Sequence, residues 1–442
     1  MADPQVVGSP TTFDAIVVGA GPAGSAASLE LARAGRSVAL LERGPYPGSK
    51  NMYGGVVYAD VLDEVIPNWR DEAPVQRWVV RRAMMIIDGD RALTIDYRAP
   101  AWGRPPYNGM TTYRADFDAW LASKAVAAGA HLVPSTVATG LVRDATGRIV
   151  GVHTDRPEGD LRAAVVIACD GSNSFLAKEA GLLPRANAAM HTLGVKEVLD
   201  LSPELIEERF GLRGREGLDV EILGCTAGIP GGGFFYTNKD TVSLGVVVRL
   251  PELAASKLRP EMLLEDMKAH PAIEPWIRGA TLREYSAHLI PEGGYNAMPA
   301  LHHDGFLIAG DAGGMCLAAG IWLEGVNFAL GSGLAAGRAA AAAIAAGDTS
   351  KSQLGSYRRD IDRSFVLRDH SRYRRAPHLV LSKRVQQQYP GLICDLAEGV
   401  FEVTNPKPKP GILRLLLRSR RKHRIGFLGL IRDGLEAARI FR

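Results

Sequence analysis

The chain has 442 residues, 46% of them hydrophobic, and a formal net charge of +4; this is enough apolar material for a large core and, at this length, for more than one domain. The composition excludes collagen-like, disordered and disulfide-scaffold classes. Cys169, Cys225, Cys316 and Cys394 stand too far apart for a Cys-x-x-Cys ribbon or a self-contained iron–sulfur cluster.

Cysteine usage points to a reducing compartment. Met1 to Thr12 is polar and lacks the basic flank and apolar run of a signal peptide. No stretch reaches the roughly 20 apolar residues of a spanning helix; the Ala-rich run near Ala335 to Ala346 carries Arg338 and reads as a buried helix. Charge is unevenly distributed. Asn405 to Arg442 holds eleven Lys or Arg against Asp433 and Glu436, a local +9 that leaves the remainder at −5. Such a tail asks for an anionic partner, a membrane surface or an acidic protein rather than nucleic acid.

In chain order, Asp14 to Gly19 reads as a buried strand, Pro22 to Ala34 as a helix closed by Gly35, and Ser37 to Leu41 as a second strand. This is a βαβ unit. Thr112 to Gly129 reads as a helix, Val165 to Ala168 and Phe306 to Ala309 as short strands, and Met262 to His270 as helical. Gly320 to Ala346 reads as mostly helix and Thr349 to Arg372 as one charged helix. Pro406, Pro408 and Pro410 mark a linker before the tail.

Gly19-Ala20-Gly21-Pro22-Ala23-Gly24 is a Gly-x-Gly-x-x-Gly loop between strand and helix. The first glycine permits the turn, the second admits a pyrophosphate, and the third brings helix close to strand. The helix N-terminus offers free N–H groups to the diphosphate. Glu42 ends the next strand, where an acid binds ribose hydroxyls and repels a 2′-phosphate.

NAD and FAD share this fingerprint. Asp170-Gly171 and Gly310-Asp311 each follow a short strand, where open α/β sheets bind ligands. FAD is long enough to need both, so the pattern predicts one FAD per chain, held non-covalently. His302-His303, before Asp304-Gly305, reads as a solvated turn rather than a metal pair.

These loops are similar to those of the flavoprotein class that includes p-hydroxybenzoate hydroxylase and geranylgeranyl reductase. The resemblance implies that Asp170, Gly171, Gly310 and Asp311 bind the middle of FAD. Arg114, in Tyr113-Arg114-Ala115-Asp116-Phe117-Asp118, would approach the diphosphate; a helix-surface ion pair with a nearby Asp is the alternative.

Ser49-Lys50-Asn51-Met52-Tyr53-Gly54-Gly55, Lys268-Ala269-His270-Pro271, Pro291-Glu292-Gly293-Gly294-Tyr295-Asn296-Ala297-Met298-Pro299 and Gly325-Val326-Asn327-Phe328-Ala329-Leu330-Gly331 resemble the FixC proteins, relatives of electron-transfer flavoprotein–quinone oxidoreductase. The resemblance runs to about Arg420. It adds Arg43, Lys50, Asn51, Gly54, Gly55 and Val137 to the cofactor contacts, and Gly325, Val326 and Asn327 beside the flavin ring. Pro230-Gly231-Gly232-Gly233-Phe234-Phe235-Tyr236 resembles a quinone-binding stretch, with Gly231 and Gly232 at the headgroup and the aromatics as walls; a hairpin turn is the alternative.

The implied fold is α/β: a Rossmann-type FAD-binding domain (1–75, 114–185, 290–350), an inserted mixed or antiparallel-sheet quinone domain (76–113, 186–289) and a helical, basic C-terminal region (351–442). The implied function is electron transfer from an electron-transfer flavoprotein of the FixAB kind to membrane quinone. A separate ferredoxin-like FixX would carry the iron–sulfur cluster, at the cytoplasmic face of the inner or plasma membrane. Whether the assembly bifurcates electrons stays open. The competing function is an FAD-dependent reductase or monooxygenase of a prenyl or lipid-like molecule. The tail, apolar at Ile412 to Leu417 and Ile425 to Ile431 with cations between, suits a peripheral anchor; docking on FixX or on its own body is the alternative.

Overall fold

A computed structural model describes residues 11–51, 55–157, 159–183, 188–320 and 323–442. Two sheets organise them. In the first, the strands His131–Val133, Val38–Leu41, Thr11–Val18, Leu161–Ala168 and Phe306–Ile308 lie side by side and parallel. The runs 15–18, Val38–Leu41, 165–168 and Phe306–Ile308 are buried on both faces, as a parallel sheet requires.

The helices Pro22–Arg33 and Val326–Ala345 pack against each other on this sheet. Gly333 and Gly337 lie four residues apart on one face of the longer helix. A Cβ on them would stand 2.1 Å from the Ala23 carbonyl oxygen and 2.5 Å from that of Ala27. Small residues therefore set the helix separation. By length and composition this helix could cross a membrane, but most of it is buried within the protein.

The second sheet runs in the order Thr281–Pro291, His191–Asp200, Thr241–Arg249, Gly231–Thr237, Glu216–Leu223, Val75–Asp88, Met110–Thr112 and Gly55–Val57, with Arg91–Arg98 also paired to Val75–Asp88. Neighbours are antiparallel except Glu216–Leu223 beside Val75–Asp88. One face is a core of Met85, Val195, Leu218, Val220, Phe235, Leu244 and their neighbours, under the helices Pro203–Phe210 and Pro260–Ala269. By the period of two, the intervening residues point the other way.

Gly320 to Ala346 is mostly helix as expected, the helix running from Val326 after Leu323–Glu324 pairs with Leu317–Ala318 as a short ribbon. Two expectations need correction. The charged helix breaks at Ser364 into Lys351–Arg363 and Phe365–Arg372; the Ser364 hydroxyl accepts from the Val366 N–H and caps the second piece. His302–His303 is not a solvated turn but a half-buried strand against Phe306–Leu307. The prolines at 406, 408 and 410 do separate the helices Tyr389–Phe401 and Ile412–Lys422.

Candidate cofactor site

Parallel pairing of Thr11–Val18 with Val38–Leu41 and Leu161–Ala168 brings Gly19, Glu42 and Asp170 to one carboxyl edge of the sheet. Gly19 has φ +100°, and a Cβ there would stand 2.3 Å from the Cys169 carbonyl oxygen. A Cβ on Gly24 would stand 1.8 Å from the Gly19 carbonyl oxygen. The backbone itself demands both glycines. Gly21 differs: a Cβ there would meet nothing within 4 Å among the described residues. It N-caps the helix without a side-chain bond, so no side chain caps the first-turn N–H groups of Pro22–Arg33.

The Glu42 carboxylate is buried and accepts from the N–H groups of Ala20 at 3.1 Å and Gly44 at 2.7 Å. Burial pushes its pKa up, against the pull of those N–H groups and Arg43. A carboxylate accepts about four hydrogen bonds, so capacity remains for ribose hydroxyls. Glu42→Ala is expected to weaken FAD binding roughly tenfold to a hundredfold, the worth of one charge-assisted hydrogen bond. Flavin retention after dilution measures this.

Asn51 and Arg114 converge on Asp118. Asn51 Nδ2 donates at 2.6 Å, and Arg114 donates from Nε and Nη2 at 2.9 Å each. The expected ion pair of Arg114 is thus formed, and Asp118 is fully buried beneath it. Burial pushes the pKa of Asp311 up, and the charge of Arg114 pulls against that rise. Gly48 places the 44–51 loop on this helix, since its Cβ would stand 2.7 Å from the Ala115 Cα.

Arg43 and Lys50 are exposed at the rim. Val137 donates its N–H to the Asp155 carboxylate and accepts the Asp155 N–H at its carbonyl, next to Thr136, whose N–H donates to the Glu42 carbonyl. Gly55 opens a strand paired with Thr112. Gly54 lies outside the described residues.

Asp170 accepts from the Ser174 hydroxyl at 2.8 Å and the Leu176 N–H at 3.2 Å, holding the turn at Gly171 in front of the short helix Phe175–Glu179. Gly310 has φ +66° and donates its N–H to the Ser332 hydroxyl at 3.0 Å. Its neighbour Asp311 lines a cavity of about 540 Å³, open mouth included, with Ser172, His191, Pro291 and Ala312. The Ser172 hydroxyl is buried there with no partner among the described residues.

The helix Val326–Ala345 starts at Gly325 without a side-chain cap. Asn327 donates from Nδ2 to Glu324 Oε2 at 2.5 Å, while its buried Oδ1 has no partner among the described residues. Open space before Gly21, two uncapped helix starts and orphaned buried groups at Ser172 and Asn327 fit a dinucleotide that runs from Glu42 to Asn327. The fit is to FAD.

Gly231 and Gly232 do not form a hairpin turn. They begin the strand Gly231–Thr237, paired with Val248 and Val247. A Cβ on Gly231 would stand 2.0 Å from the Val247 carbonyl oxygen, and its N–H donates to Gln386 Oε1 at 3.2 Å. The aromatics separate by the strand period. Phe235 packs on Phe210 and Trp276 in the core, while Phe234 and Tyr236 face the other way.

That other face holds groups that no motif signalled. Arg82, Asp219, Glu221, Lys196 and Tyr236 alternate with core residues along their strands. Such a pattern ordinarily marks a solvated face. Here Asp219 and Lys196 are buried, because the face meets the loops that carry Tyr58 and Glu324. Arg82 Nε lies 3.3 Å from Asp219 Oδ2, its guanidinium 5.9 Å from the Tyr58 ring centre. Lys196 Nζ donates to the Tyr236 hydroxyl at 3.3 Å. Burial raises the pKa values of Asp219 and Glu221 and brings Lys196 down to about 7. The signal available in sequence was the pair Asp219 and Glu221 between Leu218, Val220 and Ile222. Tertiary contact was needed to tell a covered face from a wet surface.

The chain matches the family "FAD dependent oxidoreductase" over residues 14–192 and the "ETF-QO/FixC family C-terminal domain" over 376–442. The second match extends beyond Arg420 to the last residue. It is 40% identical over 429 residues to the probable electron transfer flavoprotein-quinone oxidoreductase YdiS of Escherichia coli, covering 96% of this chain and 98% of that one. It is 41% identical over 394 residues to protein FixC of Azotobacter vinelandii, covering 88% and 90%. In fold it is similar to a geranylgeranyl bacteriochlorophyll reductase-like protein from Thermoplasma acidophilum, with TM-score 0.71 at 18% identity over 94% and 97% of the two chains. It is also similar to the myxobacterial halogenase CndH, with TM-score 0.64 at 18% identity over 94% and 97%.

Proposed function

The chain belongs to the family of FixC proteins and electron transfer flavoprotein–quinone oxidoreductases, and from that premise we propose that it passes electrons from an electron-transfer flavoprotein, through FAD, to a membrane quinone. One observation carries this reading: identity near 40% spans 96% of the chain, so it covers the second sheet and the C-terminal region as well as the FAD loops. FAD, when bound, supplies the redox chemistry. The protein's part is to hold it. Glu42 takes the ribose, the N–H groups after Gly21 take the diphosphate, and the helix start at Gly325 to Asn327 faces the flavin with its positive dipole end.

Phe234 and Tyr236, on the strand face they share with Gly232, are the aromatic walls this reading gives to a flat quinone ring. The four free cysteines are scattered, and no group of His, Cys, Asp or Glu is placed to hold a metal among the described residues. A ferredoxin-like subunit of the FixX kind therefore supplies the cluster in this scheme. Rapid mixing tests the reading. Reduction by a FixAB-like flavoprotein followed by reoxidation by quinone supports it; reduction by NADPH with turnover of a prenyl substrate replaces it with the reductase alternative.

Membrane attachment falls to the tail. Its two helices, Ile412–Lys422 and Phe427–Ile440, do pack on the body. Leu415 lies on Gly399, Lys422 and His423 bond Asp395 at 2.9 and 3.0 Å, and Asp433 accepts from Arg384 Nη2 and the Tyr389 hydroxyl at 2.6 Å each. Lys422, Arg91 and His423 outweigh burial and hold the Asp395 carboxyl down to about 2. Yet Ile412, Leu413, Phe427 and Leu428 remain exposed, with Arg418, Arg421 and Arg424 between them. Apolar side chains in the interface and cations on headgroups give a peripheral anchor.

Replacing Ile412, Leu413, Phe427 and Leu428 together by serine leaves every ion pair of the tail in place. The variant is expected to keep FAD and to lose more than tenfold in partition onto anionic liposomes. Undiminished sedimentation with liposomes removes the anchor and leaves the face for a protein partner.

A further inference from the structure

The charged and polar groups on the covered face of the second sheet form a line. Glu284 sits on Thr281–Pro291, the edge strand, and is partly exposed. On the adjacent strand, Lys196 feels the Glu284 carboxylate. Lys196 Nζ reaches the Tyr236 hydroxyl at 3.3 Å across the strand that carries the buried Ser243. Tyr236 is paired in register with Asp219, and Glu221 lies two residues further along on the same face. Five titratable side chains thus cross the sheet from an edge near solvent to the loop of Glu324 and Asn327, where the flavin ring is assigned.

Static structure alone does not account for this line. Asp219 and Glu221 share one nearby guanidinium, Arg82. Asp219 is buried and Glu221 half-buried, burial raises the pKa of both, and a single guanidinium serves the two, an arrangement that favours one shared proton on the pair. A buried lysine and tyrosine beyond them are donors that can also accept once they have given a proton up. A core built only for stability would be apolar at such positions.

We propose that Glu284, Lys196, Tyr236, Asp219 and Glu221 are a proton path from solvent to the cofactor chamber. The proposal rests on the quinone reading. Reduction of a quinone to its hydroquinone takes two electrons and two protons and forms two O–H bonds. Both electrons leave the reduced flavin, and one proton leaves with them. The second proton leaves the Asp219–Glu221 pair, which regains one from solvent by way of Tyr236, Lys196 and Glu284. Around the row stand Arg82, Tyr58 and Glu324 at the chamber end and Arg114 and Tyr113 at its side. Their charges set the level at which the carried proton is held.

The test uses FAD-loaded Lys196→Met and Glu221→Gln, with Glu284→Gln as an exposed variant that does not burden folding. Each is reduced and then mixed with a water-soluble short-chain quinone or with ferricenium, an acceptor that takes an electron and no proton. The expected result is unchanged flavin content, quinone reoxidation slowed at least tenfold in Lys196→Met and Glu221→Gln with a larger solvent deuterium isotope effect, and ferricenium oxidation at the wild-type rate. Infrared spectra at neutral pH should show a protonated-carboxyl band that Glu221→Gln diminishes. Equal slowing with both acceptors, or no slowing with either, overturns the path. If wild-type protein reduces ferricenium but no quinone, the quinone reading fails. The path is then judged by the flavin midpoint potential, whose pH dependence weakens in Lys196→Met if the row feeds the chamber and is unchanged if it does not.

Discussion

Gly24→Ala is expected to give colourless protein, with flavin content below a tenth of wild type and an apoprotein that unfolds early, whereas Gly21→Ala is expected to be colourless and stable. The two glycines sit three residues apart in one motif and differ in what surrounds them. At Gly24 a methyl group would stand 1.8 Å from the Gly19 carbonyl oxygen. The helix must then retreat from the strand, and the contacts of Ala23 and Ala27 with Gly333 and Gly337 retreat with it. Overpacking against backbone costs about 3 kcal/mol or more, because no rotamer change relieves it. At Gly21 a methyl group meets open space, and φ of −75° suits alanine. The apoprotein should lose no more than about 1 kcal/mol from the poorer N-cap. Any fall in FAD affinity then reports the diphosphate itself. Equal flavin content in Gly21→Ala and wild type would remove this loop as the phosphate site.

Asp118→Ala is expected to destabilise the protein by about 3 kcal/mol, the lower end for breaking a buried ion pair, since Arg114 keeps part of its side chain exposed. The variant leaves the Arg114 guanidinium and the Asn51 amide without their shared acceptor. The 44–51 loop loses its tie to the helix start, and Asp311 faces a cation no longer held in place. Flavin retention should fall along with the denaturation midpoint. Asp118→Asn keeps the shape and one acceptor oxygen and should recover part of both. A wild-type denaturation midpoint in Asp118→Ala would show that the pair contributes no net stability. An unchanged flavin content would separate Arg114 from the cofactor.

Much of the cofactor site was legible because its chemistry is local. A strand, a turn at a glycine with positive φ and a helix start follow one another within about ten residues, and the physics of phosphate binding requires that order. The corrected elements failed for equally local reasons. Ser364 looks like any polar residue inside the charged segment, and only the geometry of its hydroxyl to Val366 shows a cap. Gly231 and Gly232 left a hairpin turn open as the alternative to a quinone contact because glycine is rare inside strands. The Val247 carbonyl, which leaves no room for a Cβ at Gly231, lies sixteen residues away.

The sequence by itself determined the cofactor and the family. The Gly19–Gly24 loop, Glu42, Asp170 and Asp311 each sit at the end of a short apolar strand, and no distant residue is needed to see that each end offers polar groups to a ligand. Tertiary structure alone decided which charges are covered. Asp219, Glu221, Lys196 and Arg82 alternate with core residues just as a wet sheet face does. Whether that face meets water or the cofactor domain depends on packing between segments more than a hundred residues apart. Strand periodicity reports two faces and says nothing of what covers the second, so the covered face became visible only once both sheets and their loops were in place.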